Sequence, residues 1–325
     1  MNQKHYVIIG NGAAGRGAAE TLRSYCKDCR ITIISDECCP YYIRPTILNL
    51  VSGDKQEQDL WIKPTDFYIK NNISLIFDTA TKVFPEKNKI LLESGSEIQY
   101  DYLLIACGAC PKVIKWKGYD LDGVMVLRKL KDAKKLIKKL EIADTVVVVG
   151  GGILGIQASE AIRKRGLKVV MLVRGNRIGT PALNEKESAK KAENLQKAGI
   201  EIRLGEEIKE IKGTNGKVSS ILTSKDNEIK CQVVLAATGV KPNISFLENS
   251  GIETDRAILV DENFKTNFQN IYAAGDCAKI KGAPPIELST WHNSTQQGKS
   301  AALEMLKKGE HLSIEENYES SSSNS

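Results

Sequence analysis

The feature that most constrains this chain is a strand, a glycine turn and a helix that occur twice. The apolar stretch Tyr6–Ile9 runs into Gly10-Asn11-Gly12-Ala13-Ala14-Gly15. A small-residue helix over Gly17–Ser24 and a second strand over Ile31–Ile34 follow. The β-branched stretch Thr145–Val149 runs into Gly150-Gly151-Gly152-Ile153-Leu154-Gly155, then a helix over Ile156–Arg165 and a strand over Lys168–Val173. In each copy the first glycine permits the tight turn. The second lets the backbone approach a pyrophosphate, and the third lets helix pack on strand. The helix N-terminus adds unpaired N–H groups and the positive end of its dipole. One such spacing is weak evidence. Two, each placed between a strand and a helix, meet the structural condition for a dinucleotide site. Strand–helix–strand units of this length pair their strands in parallel. The fold class expected is therefore α/β, with two Rossmann-like dinucleotide-binding domains.

The rest of the chain fits that frame. Short alternating strands are expected over Leu75–Gln99 and again over Ile200–Leu222, and buried strands at Tyr102–Ala106, Val233–Ala237 and Ile271–Asp276. Ser294–Leu306 reads as a helix, and the run KLKDAKKLIKKL from Lys129 as an amphipathic surface helix able to meet an acidic protein. At 325 residues and 42% hydrophobic, the chain can bury a core without disulfides or metals. The 46 basic and 40 acidic residues are interspersed, which argues against a nucleic-acid partner. No apolar run reaches membrane-spanning length, and MNQKHYVIIGNG lacks a signal-peptide layout. A cytoplasmic location, with the eight cysteines as thiols, is the expectation. The three histidines are too scattered for a His-based metal site, so no metal is expected. Residues 311–325 are Ser-rich and polar and read as a disordered tail.

The ribose ends of the two units differ. Asp36 and Glu37 follow the first unit, about 20 residues past its last glycine, and an acid there accepts hydrogen bonds from ribose hydroxyls. In the second unit Val173 takes the acid's place and Arg174 and Arg177 follow. Arginines suit a 2′-phosphate, a slight preference for NADPH over NADH.

Seven motifs in order carry a resemblance: VIIGNGAAG (7–15), ISDECCPYYIRP (34–45), YDYLLIACGACP (100–111), VVVVGGGILGIQ (146–157), LAATGVKPN (235–243), IYAAGDCA (271–278) and WHNSTQQG (291–298). Over roughly residues 4–310 the chain resembles the FAD-dependent pyridine nucleotide-disulfide oxidoreductases, nearest the rubredoxin reductase and nitrite reductase flavodomain branch. The resemblance implies three-layer ββα domains, with the NAD(P)H domain (113–239) inserted into a split FAD domain (1–112 and 240–310). It places FAD on Gly10, Gly12, Ala13, Ala14, Gly15, Asp36, Glu37, Arg44, Pro45, Ala80, Cys107, Gly108 and Asp276. It places NAD(P)H on Gly150, Gly152, Ile153, Leu154, Gly155, Arg174, Arg177, Thr238 and Gly239. It implies hydride transfer from NAD(P)H to FAD, and electron delivery to rubredoxin, ferredoxin or a partner reductase subunit.

Two departures stand out. Relatives carry a Lys–Glu pair beside the flavin where this chain has Asn49 and Gln157. Losing both charges together avoids a lone buried charge, and these two residues are the candidates for tuning the flavin and nicotinamide environment. Relatives also carry an interface domain beyond position 310 with no counterpart here, which implies a more open flavin for a protein acceptor. Cys38 and Cys39 lie where some relatives carry a reactive cysteine, so an NAD(P)H oxidase or disulfide reductase is the same-class alternative. A flavin-binding subunit or redox sensor with little turnover is the other. Cys26-x-x-Cys29 reads as ordinary thiols, and Cys107-x-x-Cys110 lacks the strand–CxxC–helix context of a redox motif. Tyr41 and Tyr42 are expected to pack by the flavin, and His292 with Trp291 falls in the motif before the last helix.

Overall fold

A computed structural model describes residues 3–62, 66–180, 183–282 and 290–309. The tail expected at 311–325 lies outside the described residues. The chain forms two compact units. The first holds residues 1–43, 61–109 and 242–325, and the second 44–60 and 110–241.

The first unit opens with β1 (His5–Ile9), α1 (Ala13–Tyr25) and β2 (Arg30–Ser35). A short helix α3 (Asp66–Lys70) leads to β3 (Ile73–Phe77). A meander follows, β4 (Ala80–Phe84), β5 (Lys89–Leu92) and β6 (Glu97–Gln99), and then β7 (Tyr102–Ile105). The unit resumes with β18 (Thr254–Asp255), β19 (Ala257–Val260), β20 (Ile271–Ala273), β21 (Ala278–Ile280) and α7 (Trp291–Lys308). Its main sheet has the order β20-β7-β1-β2-β3, and every pairing is parallel.

The second unit carries α2 (Ile47–Ser52), β9 (Val124–Met125), α4 (Leu130–Leu140), β10 (Thr145–Val149), α5 (Ile153–Lys164) and β11 (Lys168–Val173). It continues with α6 (Glu185–Lys197), β12 (Ile200–Leu204), a second meander of β13 (Ile208–Thr214), β14 (Lys217–Thr223) and β15 (Glu228–Lys230), and β16 (Val233–Ala236). Its parallel sheet has the order β12-β11-β10-β16-β9. Two further strands, β8 (Ala109–Pro111) and β17 (Val240–Pro242), pair as a ribbon.

Both units thus place the strand before the glycine turn at the sheet centre, with a meander between the third and fourth strands of the repeat. The central strands β1, β7, β10 and β16 are apolar on both faces because both faces are covered. In β1, Tyr6 and Ile8 join the cluster under α1 and α7, while Val7 and Ile9 join the cluster under the meander. In β7, Leu104 faces the first cluster and Leu103 and Ile105 the second. In the second unit Val147, Val149, Val170 and Leu172 pack on Ile208, Ile211, Val218 and Ile221 of its meander. Each such side chain, fully buried, contributes about 1.5–3 kcal/mol.

Two boundaries differ from the sequence reading. Both turn helices begin at residue 13 or 153, directly after the second glycine, because Gly12 and Gly152 are the N-caps. The strand expected over Ile271–Asp276 stops at Ala273, and Gly275 turns the chain at φ +81°. The segment Arg44–Leu60 belongs to the second compact unit, where α2 packs on α4 and α5.

Candidate functional site

The two glycine turns have one geometry. Gly10 and Gly150 sit at φ +112° and +118°, a region that disfavours side chains. A Cβ on Gly10 would fall 2.2 Å from the Ala106 carbonyl oxygen, and one on Gly150 2.3 Å from that of Ala237. A Cβ on Gly15 or Gly155 would fall 1.9 Å from the oxygen of Gly10 or Gly150. These four glycines are demanded by backbone packing. Gly12 and Gly152 are different: a Cβ there meets nothing within 4 Å. Neither N-cap makes a side-chain capping hydrogen bond. Each helix therefore presents its first N–H groups to open space, in a cradle that a glycine keeps clear. That arrangement fits a dinucleotide pyrophosphate on both units.

In the first unit the acids lie beyond β2. Asp36 is exposed and Glu37 half-buried. The Tyr42 hydroxyl donates to a Glu37 carboxylate oxygen at 2.7 Å, which holds that acid at the strand end. Tyr41 is buried, accepts a hydrogen bond from Trp291 Nε1 at 2.5 Å, and lies 4.8 Å under the Arg16 guanidinium. Nothing in the local pattern of either segment links Tyr41 to Trp291. α7 is brought there by close packing on α1: a Cβ at Gly298 would fall 2.0 Å from the Ala14 oxygen, and one at Gly17 2.7 Å from that of Thr295. His292 is exposed at the start of α7. Ala80 is buried in the cluster under the meander, and Asp276 is half-buried after β20.

The cysteines separate into distinct settings. Cys26 and Cys29 are buried at the end of α1, and burial pushes the Cys29 thiol up to about 12. The neighbouring Arg23, also buried, donates to the carbonyls of Cys26, Lys27, Cys29, Asn71 and Asn72. It ties the loop after α1 to the turn after α3, which the sequence reading missed. Cys38 is exposed and Cys39 half-buried. Cys107 and Cys110 are both half-buried, and Cys107 stands beside the fully buried Cys277. The hydrogen bond to Cys277, reinforced by burial, pushes the Cys107 thiol well above the usual range.

In the second unit Ile153 is exposed at the first helical position and Leu154 half-buried. Arg174 and Arg177 are exposed past β11, where an acid would otherwise stand. Arg177 donates to the Leu183 carbonyl at 3.0 Å. Thr238 donates to the Lys112 carbonyl at 3.1 Å. The Arg44 guanidinium donates to the Arg128 carbonyl at 2.9 Å. Asn49 and Gln157 line one cavity of about 720 Å³, with Pro45, Leu48, Glu160 and Lys164. Gln157 is exposed and Asn49 half-buried.

Residues 4–298 match the family model for pyridine nucleotide-disulphide oxidoreductases. The chain belongs to this family. It is 31% identical over 313 residues to an NADH-rubredoxin oxidoreductase of Clostridium acetobutylicum, covering 93% of this chain and 75% of that protein. It is 29% identical over 301 residues to a rubredoxin-NAD(+) reductase of Pseudomonas putida, covering 91% and 78%. A ferredoxin reductase structure from Rhodopseudomonas palustris superposes with a TM-score of 0.89 at 27% identity, over 93% of this chain and 76% of that one. Family membership makes the protein an oxidoreductase that uses FAD and a nicotinamide nucleotide. The two open cradles fit two dinucleotides. No helix among the described residues is long and apolar enough to cross a membrane.

Proposed function

We propose that the protein takes hydride from NAD(P)H and delivers the electrons, through FAD, to a small redox protein of the rubredoxin or ferredoxin type. The observation that carries this is the pair of open glycine cradles in a chain whose relatives include rubredoxin and ferredoxin reductases. The flavin supplies the change from two-electron hydride chemistry to single-electron transfer. The residues supply binding and orientation.

In the first unit the N–H groups at Gly12–Ala14 would bind the FAD pyrophosphate, with Gly10 and Gly15 shaping the turn. Glu37, held by Tyr42, would accept from the adenosine ribose, and Asp276 from hydroxyls of the flavin side chain. Ala80, Cys107 and Gly108 would border the same cofactor, and Arg44 and Pro45 open the segment next to it in sequence. In the second unit Gly150, Gly152, Ile153, Leu154 and Gly155 would hold the NAD(P)H pyrophosphate, with Thr238 and Gly239 on the neighbouring strand end. Arg174 and Arg177 favour NADPH: two guanidiniums replace the acid that would pair with a free 2′-hydroxyl. Asn49 and Gln157 are assigned to the flavin and nicotinamide environment as neutral hydrogen-bonding groups. The FAD domain is assigned to 1–112 with 240–310 and the NAD(P)H domain to 113–239. The reaction belongs in the cytoplasm, where both nicotinamide nucleotides and reduced thiols are held.

The test is anaerobic mixing of the FAD-loaded protein with NADH and, separately, NADPH, followed by oxidised rubredoxin or ferredoxin. Rapid flavin bleaching followed by reduction of the redox protein is expected. Bleaching with return of electrons only to oxygen or small disulfides would overturn the acceptor. NADPH is expected to be preferred, and Arg174→Ala with Arg177→Ala to weaken NADPH about tenfold while leaving NADH within about twofold. Equal losses for both nucleotides would remove the specificity argument.

A further inference from the structure

Two thiols distant in sequence meet inside the first unit. β7 and β20 are parallel neighbours, with Ala273 opposite Ile105. Cys107 lies two residues past the end of β7 and Cys277 four past the end of β20. Cys277 is fully buried, its sulfur 3.3 Å from the carbonyl oxygens of Ile105 and Ala274. The Cys107 sulfur is 3.2 Å from the Asn243 carbonyl oxygen. The Cys277 sulfur thus reaches the carbonyl of Ile105, two residues before Cys107 on the neighbouring strand, which sets the two cysteines side by side at the ends of β7 and β20. Cys277 belongs to the cluster under the meander and Cys107 packs against that cluster. The pair stands at the carboxyl ends of the strands, the edge where ligands enter open α/β sheets. Cys107 is half-buried there and Cys277 fully buried.

We propose that Cys107 and Cys277 form a peroxide-responsive thiol pair that closes into a disulfide across the ends of β7 and β20. The two thiols together lose two electrons and two protons. The O–O bond of one hydrogen peroxide breaks and both oxygens leave as water, while the sulfurs join. A thiol reductant reverses the step by exchange through a mixed disulfide. The Cys29 sulfur lies 3.3 Å from the Cys26 carbonyl oxygen, but both backbone carbonyls are held by the buried Arg23, which leaves that pair structural. Bridging would also tie together the turns bearing Gly108 and Asp276. That consequence rests on the functional reading above, whereas the bridge itself does not.

The experiment treats the FAD-loaded protein with excess hydrogen peroxide in the absence of nicotinamide nucleotide. It is then denatured with an alkylating agent, digested and analysed by mass spectrometry. The expected product is a peptide pair joined through Cys107 and Cys277, two hydrogens lighter than the separate peptides and lost on reduction. Cys277→Ser should yield no such pair. Cys107 and Cys277 recovered alkylated after peroxide, recovered only as sulfinic or sulfonic acids, or joined to other cysteines would each overturn the proposal. Rubredoxin or ferredoxin reduction by the untreated protein is unaffected by that result, so the two readings fail separately.

Discussion

The glycines of the two turns carry different loads, and substitution separates them. Gly152→Ala adds a methyl group to open space at an extended N-cap, so thermal stability should hold within about 2 °C. The same methyl enters the space assigned to the pyrophosphate, and nucleotide affinity should fall at least about tenfold, or ~1.4 kcal/mol. Gly155→Ala places its methyl 1.9 Å from a backbone oxygen and should cost about 1–3 kcal/mol of stability, read by denaturant unfolding. Unchanged affinity in the stable variant would show that the cradle is not the nucleotide site. Cys231 offers a titration. It is fully buried, and burial pushes its thiol up to about 12 from an ordinary 9. Folding therefore favours the protonated form. That stability is complete below about pH 9 and is lost as pH rises from 9 toward 12, by up to about 1.4 kcal/mol per pH unit. Cys231→Ala should show a shallower loss of stability between pH 8 and pH 10.5 than the parent. Parallel curves would contradict the assignment.

At the scale of elements, α1 and α7 approach through Gly17 and Gly298. Gly298→Ala puts a methyl 2.0 Å from the Ala14 oxygen in the first turn of α1. The helices must separate, at a cost of about 1–3 kcal/mol, and Trp291 should move with α7. Trp291 fluorescence and its bond to Tyr41 give a local readout beside the unfolding midpoint. The end of α1 depends on Arg23. Arg23→Met removes five hydrogen bonds to carbonyls in one stroke and should destabilise the protein by about 3 kcal/mol or more. A loss under 1 kcal/mol would mean that water replaces the guanidinium. Element legibility followed periodicity and sterics. Lys168–Val173 and Thr145–Val149 are uniform β-branched or apolar runs and were readable to the residue. The apolar pattern runs past the end of β20 because Ala274 continues it while Gly275 breaks the backbone direction.

At the scale of the molecule, the same topology occurs twice, and a formal charge of +6 is spread over it. Lys131, Lys134, Lys135 and Lys138 of α4 are exposed. If an acidic redox protein is the acceptor, its reduction rate should fall several-fold between roughly 0.05 and 0.3 M salt as the Debye length shortens. A rate insensitive to salt would place docking on apolar contacts instead. The fold class and both nucleotide cradles were legible because they depend on local sterics: a glycine at positive φ, a second kept bare, a third against the preceding turn. The bare second glycine and the third against the preceding turn are set within about ten residues of chain, while the first glycine is also held against a distant strand end, at Ala106 or Ala237. Only the tertiary structure decided that Arg44–Leu60 joins the second unit, that Trp291 meets Tyr41, that Tyr42 holds Glu37, and that Cys107 stands beside Cys277. Apart from the Tyr42–Glu37 bond, these depend on which strands and helices become neighbours. Cys107 and Cys277 come together because β7 and β20 pair in register across the long stretch of chain between them, and hydrophobic burial on both sheet faces selects that register.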